Sequence, residues 1–259
     1  MDLGIKGRTA IVLAASKGLG FACADALGAA GVQLTIAARR PEVLEAAAAD
    51  LRRRHGVAVT AVAADVATEP GRAAILAQCP APDILVNNCG GAPPGDFREW
   101  QRDDWIRAID GNMLSSIFMI RATLDAMIAR RFGRIVNITN VAVKGGLPEI
   151  GLSAAACSGL TGFISGLSRE TVRHNVTINN LVPGRFDTDR LQSNMQDTMR
   201  RTGKSLDVVR AERLAKTPAG RFGDPAELGA TCAFLCSRQA GYITGQNLVI
   251  DGGGYPGTF

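Results

Sequence analysis

The chain is poor in the residues that usually announce a metal site or a disulfide framework. Its only histidines are His55 and His174, and its six cysteines (23, 79, 89, 157, 232 and 236) contain no CxxC pair. That scarcity excludes a polyhistidine metal centre, and no metal is expected. Cys232 and Cys236 are four residues apart, as small thiols buried on one helix face would be. Reduced thiols of this kind place the expectation in the cytoplasm. The opening Met1-Asp2-Leu3-Gly4 has neither a basic n-region nor an apolar h-region. No uninterrupted apolar run reaches about 18 residues, so no membrane span is expected. Aromatics make up 5% of the residues and the formal charge is only +5. Nucleic acid usually demands a clustered basic face interleaved with aromatics, and none is seen. The densest basic run, Arg52-Arg53-Arg54, closes a helix-like stretch, where the macrodipole favours cations. Tyrosine is as scarce as histidine, with Tyr242 and Tyr255 alone.

What is present is hydrophobic (46%) and glycine-rich, with 30 glycines in 259 residues. That length suits one large α/β domain better than two full-sized ones, so a single domain over 1–259 is expected. Short apolar runs rich in Val and Ile recur at 9–14, 32–38, 57–63, 83–87, 134–139, 176–182 and 247–250. Each ends at Gly, Asn, Pro or Asp, as strands buried on both faces do. Helical stretches separate them at 41–55, 103–131, 153–173 and 224–237. Strand alternating with helix means a parallel sheet with helices on both faces, a doubly wound α/β fold. The segment 186–222 breaks the rhythm, has no strand-like run, and is expected to be a helical flap near the carboxyl ends of the strands. Gly203-Lys204-Ser205 inside it mimics the tail of a phosphate loop, but Thr198 stands where the earlier glycine belongs and no strand precedes it.

The first strand runs into Ala14-Ala15-Ser16-Lys17-Gly18-Leu19-Gly20 and then a helix. Glycines at such a turn let backbone N–H groups approach a pyrophosphate at the helix N-terminus. The spacing fits G-x-x-x-G-x-G, with Ala14 in the first place. Further along come Asp65-Val66, Asn87-Asn88-Cys89-Gly90, Asn112, Pro183-Gly184 with Phe186 and Thr188, and Asp251-Gly252-Gly253. In this order and spacing these elements resemble the short-chain dehydrogenase/reductase family, in particular its beta-ketoacyl-ACP reductase-like branch.

The resemblance implies a Rossmann-type domain with a seven-stranded parallel sheet, NAD(P) lying across the strand ends, and a homotetramer. It assigns Ala15, Ser16, Lys17, Gly18, Leu19, Gly20, Asp65, Val66, Asn88, Gly90, Pro183, Gly184, Phe186 and Thr188 to the cofactor. Charge then chooses between dinucleotides. The second strand ends Ala37-Ala38-Arg39-Arg40, without the acid that would accept a ribose 2′-hydroxyl. Arg39 and Lys17 instead fit a 2′-phosphate, so NADP(H) is expected over NAD(H).

At the catalytic end the family has Ser, then thirteen residues later Tyr-x-x-x-Lys, with an upstream Asn. The Tyr protonates the carbonyl oxygen, the Lys lowers its pKa, the Ser bonds the substrate oxygen and the Asn supports a proton-relay water. Here the Ser position is Asn140, the Tyr position Ser153 and the Lys position Cys157; only Asn112 matches. Flanking residues 133–137 and 158–163 keep the family's register. Positioned acid–base catalysis is worth about 3–5 kcal/mol, and a serine hydroxyl is a much weaker acid than a tuned phenol. Lys144, four residues beyond Asn140, is the nearby cation, and it is read either as a surrogate acid or as a solvated loop residue. Ser153 and Cys157 are read either as catalytic or as small residues that let helices pack closely.

Three readings remain open at this point. One is an NADP(H)-dependent oxidoreductase of a carbonyl or alcohol substrate with a substituted centre. Another is a catalytically silent NADP(H)-binding scaffold or sensor. The third is an enzyme repurposed for non-redox chemistry. The resemblance and the pair Arg130-Arg131 make a small molecule or an acyl-carrier-linked group the expected partner, with no nucleic acid and no membrane.

Overall fold

The computed structural model describes residues 1–257; positions 258 and 259, the end of the expected domain, lie outside the described residues. Seven strands form one parallel sheet in the order β3-β2-β1-β4-β5-β6-β7. They are β1 Thr9–Leu13, β2 Gln33–Ala38, β3 Val59–Ala63, β4 Ile84–Asn87, β5 Gly133–Ile138, β6 Val176–Pro183 and β7 Asn247–Ile250. Strand order reverses between β1 and β4, which opens a crevice at their carboxyl ends where such sheets bind ligands.

Alternation along the strands feeds two cores. Ala10 and Val12 of β1 face one, with Leu27 from helix α1 (Gly18–Ala29), Leu44 and Leu51 from α2 (Pro41–His55), and Leu228 and Leu235 from the helix Pro225–Cys236. Ile11 and Leu13 face the other, with Ile75 of α3 (Glu69–Gln78) and with helices that follow β4 and β5. Cys232 and Cys236 are fully buried in the first core, as their spacing suggests. Helix α2 begins with Pro41 in its first turn and ends at Gly56 in the left-handed conformation, with Arg52 to His55 in its last turn.

A row of asparagines crosses the sheet below its carboxyl edge. Asn87, Asn137, Asn180 and Asn247 are register partners on four adjacent strands. Asn87 donates to Asn137 at 2.8 Å, Asn137 to Asn180 at 2.9 Å and Asn180 to Asn247 at 2.8 Å. Apolar strand patterning does not anticipate this polar row. Each amide nitrogen from Asn87 to Asn180 is satisfied by the next residue's oxygen, which offsets much of the cost of burial, while the Asn87 Oδ1 at the start of the row is buried without a hydrogen-bond partner among the described residues.

The expected helix over 103–131 is three pieces in line: α4 Arg102–Ile109, a π-helical turn Asp110–Leu114, and α5 Ser115–Arg130. The inserted residue of a π turn redirects side chains, and such turns gather at functional sites. After β5 come the short α6 (Ala142–Gly145) and α7 (Gly151–Thr171).

The stretch Pro148–His174 is, by length and composition, apolar enough to cross a membrane, with a mean hydropathy of 1.5. A search for uninterrupted apolar runs misses it, because small and hydroxyl residues dilute the pattern. In the structure Leu152, Ala156, Leu160 and Ile164 form its buried side, and a third of its most apolar 18-residue window is buried.

The segment 186–222 holds two helices, α8 (Asp189–Thr202) and α9 (Leu206–Leu214), and no named strand. They close on a small core of Leu191, Met195, Val209 and Phe222. Ser205 caps α9 by accepting a hydrogen bond from the Val208 N–H, which gives the phosphate-loop mimic an ordinary structural task. Helix α10 (Pro225–Cys236) opens on an Asp224–Glu227 capping box.

Candidate active site

The crevice above β1, β4, β5 and β6 is a cavity of about 950 Å³, lined also by residues of α8 and α9. At its near end the backbone turns out of β1 through Ala14, whose φ of 49° lies in the left-handed region. A glycine would hold that conformation without strain, so Ala14 departs from the usual pattern at a cost of about 1–2 kcal/mol. Gly18 is also left-handed, at φ 58°. A Cβ on Gly20 would lie 2.4 Å from the Ala14 carbonyl oxygen and 2.8 Å from the Asn88 side-chain nitrogen. The turn is therefore a cradle that only glycine closes, with helix α1 aimed at the cavity, as a dinucleotide pyrophosphate requires.

Of the residues expected to hold a dinucleotide, Lys17, Gly18, Leu19, Asn88, Gly90, Pro183, Gly184, Phe186 and Thr188 line this cavity. Ala15, Ser16, Gly20, Arg39, Asp65 and Val66 do not; Arg40 takes a place in the lining instead. Ala15 is buried and bonded through its N–H to Ala37. Asp65 spends its carboxylate on the Ala67 N–H at the entry to α3, and Val66 packs on the core. Arg39 is exposed, and its guanidinium lies 3.7 Å from where a Gly90 Cβ would be.

Lys17 lines the cavity with its charge already paired. Its ammonium does not stand free for a phosphate but pairs with Asp189 at 2.7 Å, across 172 residues of sequence. The Lys17 hydrogen bond and charge, with help from Arg40, hold the Asp189 carboxyl below its ordinary range. Beside it Arg190 donates to the Gly90 carbonyl and, at 3.0 Å, to the Ala92 carbonyl. The start of α8 is thus clamped to both the glycine-rich turn and the loop after β4.

In the middle of the cavity the substituted residues converge. Asn140 Nδ2 donates to Ser153 Oγ at 3.1 Å and to Cys157 Sγ at 3.4 Å, while its Oδ1 accepts from the Ala142 N–H at 3.0 Å. The amide is held at both ends. Ser153 receives a hydrogen bond from Asn140, which leaves its own proton to donate. Cys157 is buried, and desolvation, with the neighbouring Cys89 second, pushes its thiol up to about 12. It is a neutral thiol and no substitute for a lysine cation.

Asn112 lies in the π turn, where its Nδ2 donates to the Ala108 carbonyl at 2.9 Å and its Oδ1 accepts from the Cys89 thiol at 2.8 Å. Burial raises the Cys89 thiol as well. Cys89 was not among the residues expected here, although its place inside the Asn87–Gly90 motif carried the signal. Lys144 sits in α6, is half-buried and does not line the cavity. No group of three or more potential metal ligands is found among the described residues.

Residues 13–254 match the family model described as enoyl-(acyl carrier protein) reductase. The chain belongs to the short-chain dehydrogenase/reductase family. It is 33% identical over 254 residues to the 3-oxoacyl-[acyl-carrier-protein] reductase FabG of Vibrio harveyi, covering 98% of this chain and 99% of that one. FabG of Escherichia coli matches at the same identity and coverage. Among solved structures, L-sorbose reductase from Gluconobacter frateurii, complexed with NADPH and L-sorbose, superposes with a TM-score of 0.93 at 27% identity over the whole of both chains. YwfH, an NADPH-dependent reductase involved in bacilysin biosynthesis, superposes at 0.90 with 29% identity, covering 96% of this chain and 98% of that one. For this family member the seven-stranded parallel sheet agrees with the fold expected from sequence.

Proposed function

We propose that this chain is a single-domain NADP(H)-dependent oxidoreductase that reduces a carbonyl group through a centre built from Asn140, Ser153 and Cys157. The observation that carries the reading is one cavity joining residues 17–19 of the glycine-rich turn to the Asn140–Ser153 pair. Residues 17–19, Asn88, Gly90 and Pro183–Gly184 would hold the dinucleotide, whose nicotinamide supplies hydride when bound. Arg39, Arg40 and Lys17 supply the positive charge that favours a 2′-phosphate. Lys17 must exchange Asp189 for it, so binding loosens one clamp on the flap.

This chain's own residues then order the substrate. Asn140 is fixed by the Ala142 N–H and feeds Ser153 a hydrogen bond. Ser153 turns its hydroxyl proton toward the carbonyl oxygen and stabilises charge developing there. Asn112 and Cys89 close the back of the pocket. Among the described residues no tyrosine or lysine is hydrogen-bonded to Asn140, Ser153 or Cys157, so the final proton comes from water through Ser153. The substrate is a small molecule or an acyl-carrier-linked group. Six free cysteines fit a reducing, cytoplasmic setting.

The small, exposed residues of α7, Gly162 and Gly166, have open space where a Cβ would stand. They support a homotetramer formed through this helix, and light scattering that gives a monomer mass at micromolar concentration would refute it.

The test of function is NADPH oxidation with the acetoacetyl thioester of N-acetylcysteamine. The unmodified protein should turn over slowly despite binding NADPH. Restoring N140S, S153Y and C157K together should raise turnover, and single restorations should do little, because the three groups act as a unit. A triple variant that binds NADPH but stays inert would refute the assignment and favour a scaffold or a non-redox enzyme.

A further inference from the structure

Two of the basic residues that line the cavity, Arg185 after β6 and Arg213 on α9, belong to elements other than the glycine-rich turn and the end of β2. Seven lysines and arginines line the cavity against four acids. Three of those acids are already committed: Asp189 to Lys17, Asp197 to Arg200 and Glu212 to Lys204. Arg185 follows Pro183–Gly184 at the end of β6, is half-buried and lines the cavity. Its guanidinium makes no hydrogen bond or ion pair among the described residues. Arg213, on α9, is half-buried, lines the same cavity and reaches the Asn194 carbonyl at 3.1 Å and Thr198 Oγ1 at 3.0 Å through one of its nitrogens. Burial lowers the Arg213 guanidinium, Arg185 lowers it further by like charge, and Glu149 partly opposes both.

Two neighbouring guanidiniums held in a cavity repel each other, and desolvation makes the arrangement costly unless an anion completes it. The cofactor's phosphates are too far along the sheet to do so. The pyrophosphate cradle lies at β1 and the 2′-phosphate charges lie at β2, whereas Arg185 extends β6. With the order β2-β1-β4-β5-β6, four strand steps separate β2 from β6, about 19 Å at the usual strand spacing. The reacting centre follows β5, one step away.

Resting on the reductase reading above, we propose that Arg185 and Arg213 bind a carboxylate carried by the substrate a few carbons from the reacting carbonyl, making keto acids the preferred substrate class. Arginine suits this task because its planar fork takes a carboxylate through two parallel hydrogen bonds. Such a contact also orients the carbonyl over Ser153 and discriminates against neutral ketones of the same shape.

The experiment uses the full chain saturated with NADP⁺, so that the pyrophosphate site is filled and no turnover occurs. The probes are 4-oxopentanoate and 5-oxohexanoate, each paired with its methyl ester, titrated by calorimetry. At least one acid should bind about ten- to hundredfold more tightly than its ester, the worth of one or two charge-assisted hydrogen bonds. R185Q should remove most of that preference without changing NADP⁺ affinity, and R185E should abolish it. R185Q sacrifices no native hydrogen bond, so it keeps the test sound if R213Q disturbs the flap. Equal affinity for acids and esters, or a preference that survives R185Q combined with R213Q, would overturn the proposal. A parallel NADPH assay separates this from the reductase reading. Acids bound with the stated preference but never reduced would sink the reductase reading and leave the anion site standing. Acid and ester reduced equally well would do the reverse.

Discussion

Cys157 offers a quantitative test of the centre, because its environment penalises charge. Burial, with repulsion from Cys89 second, moves its thiol from 9.0 to about 12. A raised thiol pKa in the folded state means that folding favours the protonated form. The associated stability is complete below the unfolded pKa near 9 and is lost as pH rises toward the folded value. Three units correspond to about 4 kcal/mol in total, at 1.36 kcal/mol per unit. Between pH 8 and pH 10.5 the share lost is about 2 kcal/mol by the same linkage. Other buried thiols titrate too, so the clean quantity is a difference between proteins. Urea unfolding of the unmodified chain and of C157A should be compared at both pH values. The unmodified chain should lose about 2 kcal/mol more than C157A over that range. Parallel losses would show that Cys157 titrates as an exposed thiol. The centre would then hold a usable thiolate, and covalent, non-redox chemistry would become the better account of the cavity.

Two other outcomes follow from the geometry. Fluorescence titration should show tighter binding of NADPH than NADH, and R39D should invert the order by placing a carboxylate where a 2′-hydroxyl is accepted; equal affinities in the unmodified protein would contradict the charge argument. N137L should destabilise the fold by about 2–6 kcal/mol, because it strips Asn87 of an acceptor and Asn180 of a donor in a dry sheet; a loss under about 1 kcal/mol in urea would mean that water reaches the row.

Much of the sheet could be read along the chain. Runs buried on both faces are short, Val- and Ile-rich and sharply bounded, so their limits agree with β1 to β7 to within about two residues. Helix α2 was equally legible from Pro41 and its basic last turn. Helix α3 falls outside the helical stretches read from the sequence, although Thr68 caps it by accepting from the Gly71 N–H and a proline opens its first turn. The π turn at Asp110–Leu114 was hidden because a single extra residue barely disturbs a helical pattern.

The site divides in the same way, and for the same reason. Sequence determined the glycine cradle, the absence of a tyrosine and lysine at the centre, and the positions of Asn112, Asn140, Ser153 and Cys157, since each belongs to a local motif. Tertiary structure decided which charges are free. Asp189 captures Lys17 from 172 residues away, Arg190 binds the loop after β4, and Arg185 lines the cavity with Arg213 and has no ion pair among the described residues. Local spacing encodes backbone shape, because dihedral preferences and hydrophobic periodicity act over a few residues. Charge pairing depends on distance through space, and only the folded chain brings those groups within reach of one another.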